Sequence, residues 1–258
     1  MNQKIKLTFL LLTSVLALTA APPIRCEGAY PRHLQGFASD GAAIFWSFTD
    51  RLVKTDLNGK ILAEKPVKSH HGDLCVHDGK LYVAVNFGKF NQETGADNVV
   101  AVYRTDDLAP VARYPLPEVV HGAGGIAWYN GSFWVVGGLP ENYRENYVYQ
   151  YTGDFKFIKR HTIASGYTSL GIQTACHAGG SWYFGCYGNV TLQCTDDFQL
   201  IRKFKFNTAV GLLEMPDGVM LAAENVRNQD PENKKNISNQ AVARPVVSDP
   251  VGGLVVSP

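Results

Sequence analysis

A two-residue turn signal that recurs five times along the chain is the feature that most constrains its fold. Asp-Gly or Asn-Gly forms four of these dipeptides and Gly-Gly the other: Asp40-Gly41, Asp78-Gly79, Asn130-Gly131, Gly179-Gly180 and Asp217-Gly218. Successive dipeptides are 38, 52, 49 and 38 residues apart. Each follows a half-apolar run and precedes a strongly β-forming one, a pattern typical of a hairpin. The spacing therefore predicts five repeats, each built on an antiparallel hairpin.

The repeat continues beyond the hairpin with two further β-forming runs. In four repeats a third run ends near an aspartate and a fourth run follows it. The third runs are residues 52–56, 99–106, 148–154 and 190–196, and the fourth runs are residues 60–62, 110–114, 157–162 and 200–206. Four strands in about 40 to 50 residues match the size of one propeller blade. The predicted fold class is therefore all-β, a β-propeller of about five four-stranded antiparallel blades whose last blade is irregular or incomplete.

The first repeat also resembles a known group of propellers. It reads His33-Leu-Gln-Gly-Phe-Ala-Ser-Asp-Gly41, then Ile-Phe-Trp, then Leu-Val-Lys-Thr-Asp-Leu-Asn-Gly-Lys60. This pattern resembles repeats of the NHL and YVTN-type propeller superfamily and is similar to quinoprotein-like propellers. The resemblance covers about residues 33 to 226. It implies the fold and no particular activity, because members of such a superfamily are enzymes, binding proteins and scaffolds alike.

Both ends of the chain depart from the repeat. Residues 1–21 combine early lysines, an apolar run and small residues before a proline pair, which predicts a secretory signal peptide. The propeller is assigned to residues 22–226 and an irregular tail, or a remnant of the last blade, to residues 227–258. Weak strands at 241–247 and 254–256 could finish that blade, or the tail is disordered. The stretch 24–30 could supply a closing strand.

Charge and composition exclude several classes of partner. The chain has 24 Lys and Arg against 23 Asp and Glu and carries no basic stripe, which argues against nucleic acid. After signal cleavage no apolar segment is long enough to span a membrane, so we expect a secreted or periplasmic protein.

Its five cysteines lack Cys-x-x-Cys spacing, and the odd number leaves at least one unpaired.

The order of the strands indicates where a site would lie. In a four-stranded meander, the loop between the second and third strands lies on the same face as the link that enters the next blade. Two of these loops, residues 86–98 and 137–146, are enlarged. Polar residues of the links and strand ends should therefore converge on one mouth of the central channel, where ligands tend to bind. The predicted ligand-binding residues are His33, Gln35, His70, His71, Asp73, Asn86, His121, Gln173, Glu224 and Asn225.

Two functions are compatible with such a site. The first is a binding module for a small ligand, a glycan or a protein partner. The second is a metal-assisted lyase or hydrolase, in which a divalent ion would be the cofactor, since imidazole and carboxylate are common metal ligands. The candidate metal ligands are His33, His71, Asp73 and His121. The first function is favoured because it requires no feature that the sequence lacks, and no motif identifies catalytic residues. Glu93 and Asp97 could form a carboxylate pair for glycoside hydrolysis, although single acids in loops are commonplace.

Overall fold

The computed structural model describes residues 21–248 and 253–257 of the 258-residue chain. The predicted signal peptide lies outside the described residues except for Ala21. All regular structure within the described ranges is β-strand, and no helix there has the length and apolar character that a bilayer crossing requires. The predicted all-β class is confirmed.

After the short strand β1 (Ile24–Arg25), four blades follow as antiparallel meanders that run outward from the central channel. The first blade contains β2 (Leu34–Ser39), β3 (Ile44–Phe48), β4 (Arg51–Thr55) and β5 (Ile61–Pro66). The second contains β6 (His71–His77), β7 (Lys80–Asn86), β8 (Asn98–Arg104) and β9 (Pro110–Pro115). The third contains β10 (Ala123–Tyr129), β11 (Ser132–Gly137), β12 (Asn146–Tyr151) and β13 (Phe157–Ile163). The fourth contains β14 (Ile172–Ala178), β15 (Ser181–Cys186), β16 (Val190–Cys194) and β17 (Leu200–Phe204).

The fifth blade draws on both ends of the described chain. It contains β18 (Leu212–Glu214), β19 (Met220–Gln229), β20 (Asn236–Ser248) and β21 (Leu254–Val256). The outer edge of β20 pairs with β1 near Ala243 and with β21 near Val247. The N-terminal segment thus joins the last blade and closes the ring. The boundary predicted at residue 226 falls inside β19, and the strands of the fifth blade continue to Val256.

The turn dipeptides behave in two ways. In the three central repeats both residues have positive φ, as in Asn130 (48°) and Gly131 (74°), which is the backbone of a type I′ hairpin turn. In the first and last repeats only the glycine has positive φ. In the first repeat, Asp40 instead accepts hydrogen bonds at Oδ1 from the backbone nitrogens of Ala42 (2.9 Å) and Ala43 (2.7 Å).

Aromatic side chains fill the spaces between adjacent blades. Between the second and third blades, the Phe133 ring lies 4.4 Å from both Tyr82 and Phe155. Between the third and fourth, Trp134 packs against Trp182 at 5.6 Å. These apolar contacts hold the blades at fixed angles, so the polar ends of their inner strands meet at the two mouths of the channel.

The Gly131 turn provides a test of the hairpin register. Gly131→Ala should lower the free energy of unfolding by about 1–2 kcal/mol, because a Cβ is disfavoured at positive φ although open space surrounds this position. Gly153→Ala is the matched control in the same blade: φ is ordinary there and a Cβ would only touch Trp128 at 3.7 Å, so the change should stay within about 0.5 kcal/mol. Urea unfolding monitored by circular dichroism measures both, and equal effects would contradict the turn assignment.

Candidate functional site

A β-bulge in the innermost strand of each of the first four blades shapes the centre of the molecule. The register shifts lie between Leu34 and Gly36, His71 and Leu74, Ala123 and Gly125, and Ile172 and Thr174. A bulge leaves its extra residue unpaired and re-aims its side chain. Two of these extra residues, Gln35 and Gln173, thereby present their amides at the mouth of the channel.

A cavity of about 250 Å³ lies at this mouth, which we call the upper cavity. Its polar lining comes from His33, Gln35, His70, Asn86, Gln173 and Tyr187, its apolar lining mainly from Phe90, Ala123 and Leu170, and its glycines are Gly72, Gly88 and Gly124. These residues belong to four blades and their links. Five of the ten predicted ligand-binding residues therefore meet in one cavity.

The amide of Gln35 connects the two histidines of the upper cavity. Gln35 Nε2 lies 2.7 Å from His33 Nε2, 3.1 Å from Thr49 Oγ1 and 3.3 Å from His70 Nε2. An amide nitrogen has two hydrogens, so it cannot fully satisfy three acceptors. Donation to His33 Nε2 places the proton of that imidazole on Nδ1. Thr49 and His70 then compete for the remaining hydrogen.

Burial keeps both imidazoles neutral near pH 7. It is the main cause that lowers the pKa of His33, and repulsion from the protonated form of His70 and from Arg227 and Arg32 lowers that pKa further. Burial alone lowers the pKa of His70. Since each folded-state pKa lies below the ordinary histidine value, the neutral form predominates at pH 7, and the two rings exchange hydrogen bonds rather than act as cations.

Asn86 anchors the enlarged loop 86–98 that forms one wall of the cavity. Its Oδ1 accepts hydrogen bonds from the backbone nitrogens of Gly88 and Asp97, each at 3.0 Å. Its side chain is buried, and Nδ2 has no hydrogen-bond partner among the described residues. A buried donor without a partner costs about 1–3 kcal/mol.

The same loop brings Phe90 to the mouth. Two hydrogen bonds hold this loop against the third blade and the link that leads to it. Asn91 N donates to His121 O (2.8 Å), and Leu139 N donates to Asn91 Oδ1 (2.8 Å). Phe90 and Tyr187 were not among the predicted site residues. The aromatic residue inside an enlarged loop was a usable signal for Phe90, whereas the short loop that holds Tyr187 gave none.

Three other predicted residues lie away from the cavity lining. The imidazole of His71 forms hydrogen bonds with Lys68 O through Nδ1 (2.8 Å) and with Tyr103 Oη through Nε2 (2.7 Å). Burial lowers the pKa of His71 to about 4. His121 contacts Gln92 O through Nδ1 (3.0 Å), and its buried Nε2 has no partner in the described part of the chain. Glu224 is exposed and forms an ion pair with Arg244 at 2.9 Å.

Asn225 ties two blades together. Its Oδ1 accepts a hydrogen bond from Leu34 N (2.8 Å) at the start of the first blade, and its Nδ2 donates to Asn239 Oδ1 (3.0 Å) within the fifth. Both ends of this amide are therefore occupied by the protein, and it supports the rim rather than lining the cavity.

Asp73 crosses the centre of the channel. Its Oδ2 accepts a hydrogen bond from Ala175 N (3.3 Å) of the fourth blade, 102 residues away. It is 3% exposed, and burial raises the pKa of this carboxyl well above the ordinary value. It faces a lower cavity of about 200 Å³ at the opposite mouth, which Cys75, Cys176 and Glu214 also line.

The four side chains predicted to bind a divalent metal are therefore not brought together. In a regular strand His71 and Asp73, two residues apart, would share a face, but the bulge between His71 and Leu74 breaks that alternation. Within the described ranges no group of three or more His, Cys, Asp or Glu side chains could hold a metal ion. Glu93 and Asp97 are exposed on the loop and do not line the cavity.

The cysteines do not add a nucleophile to either cavity. All five are free. Burial raises the pKa of Cys26, Cys176, Cys186 and Cys194 to about 12 and that of Cys75 well above its usual value. Because the thiolate is the reactive form, these groups stay inert thiols near neutral pH.

Comparison with known proteins confirms the fold and leaves the family open. No family model and no curated protein matches the chain. A Myxococcus xanthus glutaminyl cyclase is similar in structure, with a TM-score of 0.61 and 10% identity over 93% of this chain and 97% of that one. A xylan β-1,4-xylosidase from Bacillus halodurans (TM-score 0.64, 12% identity, 90% of this chain) and a Bacteroides ovatus protein named Xyloglucan PUL GH43B (0.64, 13%, 92%) are also similar.

The present chain spans 56% of the length of each of these last two proteins. At such identities the likeness shows a shared five-bladed propeller alone. Membership of the NHL and YVTN-type superfamily stays a prediction.

The raised pKa of Asp73 has a measurable consequence. A carboxyl whose folded pKa is raised stabilises the fold most below its unfolded pKa of about 4, and this contribution is lost as pH rises toward the folded value. Asp73→Asn keeps the shape without the ionisation. Its stability relative to the wild type should therefore rise from pH 4 to pH 7, by up to about 1.4 kcal/mol per pH unit.

Urea unfolding at pH 4, 5.5 and 7 measures this difference. Asp106→Asn, at an exposed carboxyl, controls for the removal of one surface negative charge. If the stability of Asp73→Asn relative to the wild type falls as pH rises, the raised pKa of Asp73 is contradicted.

Proposed function

We propose that this protein binds a small polar molecule in the upper cavity. The observation that carries the proposal is the convergence of neutral polar groups from several blades on one cavity. Ligand sites of this kind are concave, with apolar walls and a few convergent polar groups. At about 250 Å³ the cavity is below the range of drug-sized sites, so it suits a molecule the size of a monosaccharide or an amino acid.

The lining defines what kind of molecule would fit. Among the residues that the structure describes, this lining offers imidazole, amide and phenol groups and no Asp or Glu side chain. Phe90 and Leu170 provide apolar contact beside these groups, and an aromatic face next to amides suits a molecule with both polar and apolar surfaces. We further propose that binding occurs outside the cytoplasm, which the leader-like residues 1–21 support.

Removal of the Phe90 ring tests the proposal. Wild-type protein is screened by thermal shift against monosaccharides, amino acids and their amides, and compounds that raise the midpoint are measured by titration calorimetry. Phe90→Ala should weaken binding roughly tenfold, equivalent to about 1.4 kcal/mol, because an aromatic wall of the cavity is lost.

Phe157→Ala is the matched control, since Phe157 is an exposed ring on the outer strand of the third blade. It should bind like the wild type. A panel without a single binding compound, or equal losses in both variants, would contradict a site at the upper cavity.

An enzyme is the second candidate function, and the state of His70 favours it. The Gln35 amide has two hydrogens for three acceptors, and its contact with His70 Nε2 is the longest of the three at 3.3 Å. A neutral imidazole that keeps a lone pair beside a cavity can accept a proton from a bound hydroxyl or amine. The glutaminyl cyclase of similar structure is an example of an enzyme built on this fold, and the likeness indicates no reaction for the present chain.

Substitution of His70 separates the enzyme from the binding protein. Compounds that bind are incubated with the wild type and His70→Gln, and conversion is followed by mass spectrometry. For an enzyme, His70→Gln should retain binding within about threefold and lose turnover at least 100-fold, as expected for a general base. His161→Gln, on the outer strand of the third blade, is the control. Absence of conversion by the wild type would leave the binding function alone.

A further inference from the structure

The hairpin of β19 and β20 extends along the rim of the upper cavity. The two strands remain paired out to Gln229 and Asn236. Near its base the hairpin is held against the segment that leads to His33: Asn225 Oδ1 accepts from Leu34 N (2.8 Å), and Asn239 Nδ2 donates to Tyr30 O (3.3 Å). The hairpin is therefore fixed beside one wall of the cavity.

Arg227 lies on the face of this hairpin that is turned toward that segment. It is two residues beyond Asn225 and directly opposite Asn239 in the strand register, so the three side chains share one face. The bond between Asn225 and Asn239 (3.0 Å) confirms that their side chains meet there. Glu224 lies on the other face, where it pairs with Arg244.

Two exposed arginines lie near the segment that carries His33. Arg32 and Arg227 are exposed, and neither forms an ion pair among the residues that the structure describes. Burial, then His70 and these two arginines lower the pKa of His33. Burial raises the pKa of Tyr187, and Arg227 opposes that shift. The charge of Arg227 thus acts on two walls of the cavity, from the first and the fourth blades.

We infer that the ligand of the upper cavity is a small organic carboxylate, with its anionic group at the rim beside Arg227 and Arg32. This inference rests on the proposed binding function and names its ligand class. The guanidinium fork matches the two oxygens of a carboxylate. The cavity has the volume of about eight water molecules, so the body of the ligand is that of a hydroxy acid, an amino-acid derivative or a sugar acid.

Matched anionic and neutral compounds test this inference. The pairs are glucuronate with glucose, galacturonate with galactose, and lactate with lactamide, each titrated calorimetrically at low ionic strength, with inorganic phosphate as an additional probe. For at least one pair, the wild type should bind the carboxylate at least tenfold more tightly than its neutral partner. Arg227→Gln should reduce this preference at least threefold, and the double variant with Arg32→Gln should abolish it.

Arg244→Gln is the control, because Arg244 belongs to the same hairpin but pairs with Glu224 on the opposite face. It should keep the wild-type preference. Equal binding of both members of every pair that binds, or a preference unchanged in the double variant, would overturn the carboxylate and leave the proposed function standing. Binding of phosphate but of no organic carboxylate would also overturn it. If no compound binds the wild type, both the inference and the proposed function fail.

Discussion

The upper cavity depends on the hydrogen bonds that close the ring. Backbone bonds join Cys26 N to Ala241 O (3.0 Å) and link Tyr30 and Asn239 in both directions at 2.7 Å. The Tyr30 ring also packs on Phe48 of the first blade, with centroids 4.1 Å apart. The segment that closes the ring continues directly into the link that carries His33. Closure and site formation are therefore coupled, since loss of these bonds would release both the first and the fifth blades at the rim.

Repeat spacing and strand order made the fold predictable, and five of the ten predicted ligand-binding residues line the upper cavity. Turn residues with a positive-φ preference marked each hairpin, and strand order placed His33, Gln35 and Gln173 at one mouth of the channel. Simple alternation failed at His71 and Asp73, because a bulge is a local irregularity that no periodic pattern reveals. The remaining failures depend on how loops and strands pack across blades.

Two predicted residues illustrate that packing. His121 lies in the link that enters the third blade, as predicted, but its Nδ1 forms a hydrogen bond with Gln92 O of loop 86–98 (3.0 Å). Asn225 stands at the correct rim, yet its amide is used to join the last blade to the first. These partners lie 29 and 191 residues away in the sequence. A single sequence does not show which distant backbone atom will form a hydrogen bond with a polar side chain.

The inner strands explain why a ligand would sit at a mouth of this propeller rather than within its channel. A Cβ built on Gly36 would lie 2.2 Å from Asp73 Oδ1, and one on Gly72 would lie 2.4 Å from Gly124 O. The strands therefore meet with no room for further atoms, and the buried carboxyl of Asp73 separates the upper cavity from the lower one. Inside the upper cavity, desolvation favours uncharged groups, while the exposed rim tolerates guanidinium charge at little cost. The cavity interior is buried and the rim is exposed. This difference in burial explains why neutral hydrogen-bonding groups line the cavity and the arginines lie outside it.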